Sequence, residues 1–410
     1  MQSPLQCLAT QGKRMPDERY LPDDQQEDLE DLGEEGLRYS AVINSADWTV
    51  QTIIQQINKK NIELNPSFQR RQAWRSKRKS LYIESLILNV PVPQIVLAER
   101  KDARGKFIVI DGKQRLLALR QFYSSPEDSV YKSFKLSDLT IRTDLNGLGY
   151  SDLELDLIHE PDVTVLDNST IRTAVIKNWK EESFLYTVFL RLNTGSVQLS
   201  PQELRQALHP GPFLKFVDEY SIESDLLKLI MHLKEPDVRM RDAELVIRFF
   251  AFRNFLHTYT GNLKPLLDDT AEYFNSHWES DQDKIKIQKE EFERSINTAV
   301  TIFGEDNVFR KWNGTKYESA FNRAIFDAVI LSFINKTVSE CAIQNKNLVE
   351  DVFKKLCVQD ERFKSSVEGT TKAIHSIFAR LQRWAEVLKG VLGDAVPVPE
   401  LIDNKIVLNY

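Results

Sequence analysis

Lys106–Phe122, KFIVIDGKQRLLALRQF, carries two opposed patterns on either side of one Asp-Gly step. A β-branched run, Phe107 to Ile110, stops at Asp111-Gly112, and a polar-then-apolar helical pattern follows. The run predicts a strand that delivers Asp111 to a sheet edge. Gly112 permits a tight turn with close ligand approach, and Gln114 and Arg115 open a helix. Backbone N–H groups at a helix start carry about half a positive charge, Arg115 can grip a phosphate bidentately, and Asp111 can coordinate a metal or orient water. These residue types point to anion-handling chemistry. An ordinary strand, turn and helix with an Asp cap is the alternative reading of the same residues.

Gln94–Ala98 reads as a second strand, paired with Phe107–Ile110 across the charged turn Arg100–Gly105. Ser80–Leu88 reads as a helix, ended by Asn89 and the Pro91-Val92-Pro93 break. Ala46–Ile57 places Trp48, Val50, Ile53, Ile54 and Ile57 at helical spacing, which predicts a helix over all of it. Val163–Val165 and Ile171–Ile176 read as extended. Ser200-Pro201-Gln202-Glu203 combines a capping residue, proline at the first helical position and glutamate three residues on, so a helix starts there; Pro210-Gly211-Pro212 ends it. Beyond that break the pattern changes to long amphipathic helices, at Arg241–Thr258, Ile285–Phe303, Glu318–Thr337 and Thr371–Leu392. The expected organisation is a polar acidic tail over 1–40, a mixed α/β domain over 41–209, a helical domain over 213–393 and a short tail over 394–410.

The 410 residues, 42% hydrophobic, can bury a sizeable core. Three cysteines far apart in sequence, with no CxxC pair, argue against a disulfide scaffold or a zinc site. No apolar run approaches membrane-spanning length and the N-terminus lacks a secretory layout, so no membrane role and a cytoplasmic location are expected. Net charge is -6, yet Asp17 to Glu35 holds ten carboxylates against the one Arg19, a net of -9 that leaves +3 for the remainder. Lys59 to Lys79 carries eight cations against Glu63, a local +7. Such a cluster can meet phosphates, though charge runs are as often solvated surface. Arg75, Lys77, Arg78 and Lys79 precede an apolar helix, where cations are costly unless an anion binds. Trp74 reads as a packing residue rather than a base-stacking one. The six histidines are scattered singly and read as structural or surface groups.

Four stretches together resemble the N-terminal domain family of GmrSD-type restriction endonucleases, marked by an Asp-Gly-Gln-Gln-Arg loop. They are Asn65–Trp74 (NPSFQRRQAW), Glu84–Pro93 (ESLILNVPVP), Ile110–Leu119 (IDGKQRLLAL) and Phe189–Leu208 (FLRLNTGSVQLSPQELRQAL). The helical half, including Arg241–Phe252, is also similar, so the resemblance covers about 45 to 390. It implies an α+β chain, a ParB/sulfiredoxin-like N-terminal domain followed by an all-helical C-terminal domain, that binds and hydrolyses an NTP with Mg²⁺ and couples turnover to DNA in bacterial defence.

By position the family motif carries over to Asp111, Gln114 and Arg115 as catalytic residues, Asp111 also as metal ligand. Gln69, Arg70, Gly112, Lys113, Arg191 and Asn193 become nucleotide-binding residues. Arg71, Arg75, Lys77, Arg78 and Lys79 are the expected DNA contacts. A triphosphate needs several fixed positive donors plus a carboxylate, and phosphoryl transfer is catalysed largely by positioning and electrostatics. Lys113 stands where the family has its first glutamine, adding a positive charge beside the expected phosphates, a difference that can alter nucleotide choice or turnover. No His-Asn-His nuclease pattern is visible, so a restriction role would need a separate nuclease subunit. The partners expected are therefore DNA, such a subunit, and further copies of the chain. Two other readings stay open: a non-hydrolysing DNA-binding regulator, and an interaction subunit whose acidic tail covers the basic surface until displaced.

Overall fold

A computed structural model describes residues 41–62, 64, 74–180, 184–185, 187–188, 192, 200–369 and 371–408. Its architecture is α+β: a small mixed sheet flanked by helices, followed by a helical region. Strands β1 (Val42–Thr49), β2 (Ile95–Glu99), β3 (Phe107–Asp111) and β4 (Thr170–Lys177) lie in the order β1-β4-β2-β3. β1 runs antiparallel to β4, β4 parallel to β2, and β2 antiparallel to β3, the last pair joined by the charged turn expected from sequence.

Period-2 alternation splits β2 and β4 between two cores. Ile95, Leu97, Ile171 and Val175 face one cluster, while Val96, Ala98, Ala174 and Ile176 face another with Ile108 and Ile110. Helices α1 (Val50–Asn58), α2 (Ser76–Ile87), α3 (Lys113–Phe122), α4 (Tyr150–Leu155) and α5 (Glu160–Asn168) fill the first cluster through residues such as Ile53, Ile57, Ile83, Leu116, Leu119, Leu153 and Leu166. Each fully buried isoleucine or leucine there contributes about 2 kcal/mol. The second cluster is closed by Trp179, Leu185 and Leu204, the last on α6 (Pro201–Leu208). With both faces covered, β2 is a continuous apolar run rather than an alternating one.

Two local expectations before α6 are corrected. The helix expected over Ala46–Ile57 starts only at Val50, because the Thr49 hydroxyl accepts the Thr52 amide at 3.1 Å as a cap and Ala46–Thr49 pair with β4. Val163–Val165, expected as extended, lies inside α5, where Pro161 sits in the first turn and Val163 and Leu166 bury at helical spacing.

The expected break after α6 does occur. At Gly211 an added Cβ would lie 2.2 Å from the Asn275 side chain, whose Oδ1 accepts the amides of Phe213 and Leu214. Helices α7 (Pro212–Glu223), α8 (Asp225–Met231), α9 (Arg241–Phe255), α10 (Leu263–Ser276), α11 (Trp278–Phe303), α12 (Arg323–Ser332), α13 (Lys336–Gln344), α14 (Lys346–Gln359), α15 (Glu361–Glu368) and α16 (Ile374–Leu392) share one large apolar cluster. α9 is buried on every side from Asp242 to Phe252, the pattern of a helix at the centre of its domain. The helix expected over Glu318–Thr337 covers only Arg323–Ser332, after which the Asn335 side chain caps the separate helix α13. A hairpin, β5 (Glu400–Ile402) with β6 (Lys405–Val407), follows, its turn made by Asp403 and Asn404, both at positive φ. Among the described residues no helix is long and apolar enough to cross a membrane.

Candidate functional site

β3 ends at Asp111, and Gly112, at φ 98°, turns the chain directly into α3. That left-handed backbone favours glycine, and so does the space: an added Cβ would lie 3.0 Å from Ile95 Cγ1 and 3.3 Å from the Arg115 guanidinium. One turn into α3, Arg115 folds back over the glycine. Its Nη2 donates to Asp111 Oδ2 at 2.8 Å and to the Gln94 carbonyl at 2.9 Å. The guanidinium is nearly buried, while 22% of the Asp111 side chain stays exposed.

Around this turn three buried polar atoms have no hydrogen-bond partner among the described residues: Arg115 Nε, Gln114 Oε1 and the Tyr82 hydroxyl. Buried polar groups are nearly always paired, so each such atom in a folded protein asks for a ligand or a water. Burial raises the Tyr82 pKa and the nearby Arg115 charge opposes that rise, so the phenol is a neutral donor at physiological pH. Tyr82 was not among the residues expected from sequence. It lies on α2 among Leu81, Ile83, Leu86 and Ile87, where a tyrosine reads as core, and only its unpaired hydroxyl beside Arg115 distinguishes it. Its ring packs edge-on against Trp74, which is buried as expected.

Lys113, expected as a nucleotide contact, is instead committed to the protein. Its Nζ donates to Glu203 Oε1 at 2.6 Å, with both side chains under a tenth exposed. Glu203 is also the capping-box residue of α6: its Oε2 accepts the Ser200 amide at 2.8 Å, and Ser200 Oγ accepts the Glu203 amide at 3.1 Å.

The expected DNA contacts divide. Arg75, Lys77 and Arg78 are exposed at the start of α2, with the Arg78 guanidinium 4.8 Å from the Trp74 ring centre. α2 has no side-chain cap, so these cations stand at a helix end that prefers anions. Lys79 is the exception: it is buried, donates to Gln121 Oε1 at 2.7 Å and lies over the Phe134 ring. Burial pulls its pKa down to about 8. An ammonium turned inward does not present itself to a phosphate backbone, so Lys79 is removed from that surface. Gln69, Arg70, Arg71, Arg191 and Asn193 lie outside the described residues.

Two other features compete for attention. Asp144, His159 and Asp162 bring their donor atoms within 4.8 Å of one another, a spacing a metal could use. Arg142 already bonds both carboxylates, at 2.6 Å and 2.7 Å, and holds the Asp144 pKa down at about 2 through that hydrogen bond, so this is an ion-pair network that is closed without a metal. A cavity of about 480 Å³ lies in the helical region, between His232, Asp306, Arg310, Lys316 and Glu318. Size favours the cavity, but the partnerless buried atoms favour the Asp111 turn, and they are the stronger sign because they carry an energetic demand beside a partly open carboxylate.

Residues 50–210 match the family model described as GmrSD restriction endonuclease, N-terminal domain. This segment is a GmrSD-type N-terminal domain. No curated protein and no solved structure matches the chain. The GmrSD-type domain spans α1 to the end of α6, so it contains the Asp111 turn, the exposed cations of α2 and the Lys113–Glu203 pair within one unit, and it relates the chain to restriction and phage defence. Its matched limit at 210 falls at the Pro210-Gly211-Pro212 break before α7.

Proposed function

We propose that the Asp111 turn binds the phosphates of a nucleoside triphosphate, and that the chain is an NTP-hydrolysing, DNA-sensing component of a restriction system whose cleavage is supplied by a separate subunit. The partnerless buried atoms at the turn carry this reading: among the described residues, Arg115 Nε and the Tyr82 hydroxyl are donors without acceptors. A phosphate supplies acceptors in several directions, and a neutral phenol and a guanidinium suit it. Gly112 leaves room for Arg115 to fold back over the turn where α3 begins, and the first amides of that helix add partial positive charge. The partly exposed Asp111 carboxylate is the group that would hold Mg²⁺, which when bound would neutralise phosphate charge. In this reading the domain is ParB/sulfiredoxin-like, with the ligand at the end of β3.

Phosphate release from each of the four NTPs with Mg²⁺, with and without duplex DNA, tests it. Asp111→Ala should abolish release with the fold intact, and Arg115→Ala should weaken nucleotide binding by roughly one to two orders of magnitude, the loss of a charged hydrogen-bond partner. Unchanged turnover in the Asp111 variant sinks the site. A second reading, a non-hydrolysing DNA-binding regulator, is favoured by one observation: Arg115 already neutralises Asp111, which suits a carboxylate that holds structure more than one that activates water. Nucleotide binding without release of phosphate would select it.

A further inference from the structure

Lys113 lies inside the nucleotide motif by sequence, but its ammonium is held by a residue 90 positions away. The Glu203 carboxylate is shared: Oε1 takes Lys113, Oε2 takes the Ser200 amide. One side chain therefore fixes both the first residue of α3 and the start of α6. α6 is fixed again two residues on. Arg205 Nε donates to Asp268 Oδ1 on α10 at 2.6 Å and Nη1 to Gln202 Oε1 at 2.7 Å, with the arginine side chain 1% exposed. Buried ion pairs add little net stability when intact, but removing one member strands the other charge and is costly, so such a pair acts as a positional constraint.

We propose that Lys113 is a positioning residue: its buried pair with Glu203 latches the start of α6 onto the Asp111–Gly112 turn, and it does not contact phosphate. The effect of this latch on ligand binding rests on the nucleotide reading above, whereas the latch itself does not.

The two roles predict opposite signs for Glu203→Gln. If Lys113 gripped phosphate, freeing it from Glu203 would leave nucleotide affinity unchanged or raise it. If Lys113 is the latch, Lys113→Gln and Glu203→Gln each weaken binding of a fluorescent non-hydrolysable NTP analogue by roughly tenfold, the size of a typical coupling between sites. The double variant should then be no worse than either single one, since both remove the same link. Retained or tighter binding in Glu203→Gln, with weaker binding in Lys113→Gln, overturns the proposal. Amide hydrogen exchange of the full chain gives a second arm that needs no nucleotide. Protection over 200–208 should fall equally in both single variants while the helical region keeps its own; unchanged protection in Lys113→Gln overturns the latch. Should the native chain bind no analogue, the functional reading fails and the exchange result alone decides the latch. Should either glutamine variant fold poorly, Lys113→Arg, which keeps the cation and leaves the Glu203 cap intact, retains folding and 200–208 protection if the link is ionic, and loss of both counts against the proposal.

Discussion

The Asp111 turn and the centre of the helical region contain the same pair of side chains, an arginine on an aspartate, in opposite surroundings. At the turn, Arg115 meets Asp111 in a single bond, the carboxylate remains partly in solvent, and neighbouring polar atoms lack partners among the described residues. In the helical region, Asp327 on α12 receives Arg248 of α9 through two nitrogens and Arg380 of α16 through a third at 3.3 Å. Glu244 accepts Arg323 at 3.3 Å, Arg380 also donates to the Thr371 carbonyl at 2.6 Å, and every one of these side chains is 6% exposed or less. Arg248 Nη1, Arg380 Nε and Glu244 Oε1 have no hydrogen-bond partner among the described residues either, so the difference from the turn lies in the carboxylates, none of which is more than 6% exposed in this cluster. Three helices are tied through one carboxylate. Identical chemistry therefore serves architecture where it is enclosed and is free to serve recognition where it is left partly open.

Removing the two aspartates should break this symmetry. Asp327→Ala strands Arg248 and Arg380 in an apolar core and should cost about 3–5 kcal/mol in urea-induced unfolding, a large share of a typical total stability. A cost under about 1 kcal/mol would show that the helical core repacks around free guanidinium groups. Asp111→Ala should cost only about 1 kcal/mol, because Arg115 keeps its bond to the Gln94 carbonyl, while phosphate release is abolished. If instead Asp111→Ala unfolds the chain and leaves residual turnover, the turn is architecture too, and the contrast between the regions disappears.

What could be read from sequence follows from the range of each signal. The β2–β3 hairpin, the Gly112 turn and the α6 capping box are written in residues within a few positions of one another, and all three occur where they are expected. β1 was half hidden because Trp48 and Val50 suit a helical repeat, while what makes Ala46–Thr49 a strand is its partner β4, more than a hundred residues on. The site shows the same limit. Asp111, Gly112 and Arg115 are local, and the ion pair that joins them is an i,i+4 pair. The commitment of Lys113 to Glu203, the burial of Lys79 and the unpaired hydroxyl of Tyr82 each depend on tertiary neighbours that no spacing rule contains.

Smaller effects are expected from the α2 cations. Replacing Arg75, Lys77 and Arg78 together with alanine should flatten the dependence of duplex DNA affinity on salt, by roughly 0.9 in logarithmic slope for each phosphate that these side chains neutralise. A native protein whose affinity hardly changes with salt would rule out DNA binding through this surface.

The smallest effect on DNA, and the most specific on stability, belongs to Lys79. Lys79→Met should leave duplex affinity unchanged, which separates the buried end of the cation run from its exposed part. Its titration provides the independent check. Burial lowers the folded pKa from 10.5 to about 8, so between these values the unfolded chain holds a proton that the folded chain has released. Stability contributed by this group must then rise with pH across that window, the reverse of a lysine that gains an acidic partner on folding. Unfolding midpoints measured from pH 7 to pH 10 should therefore diverge, the native chain gaining on Lys79→Met as pH climbs through about 8. Parallel curves for the two proteins would mean that the Gln121 side-chain carbonyl and the Phe134 ring compensate the buried ammonium fully. In that case Lys79 would resemble the enclosed arginines of the helical region, a buried cation held at no net cost, rather than a desolvated group under strain.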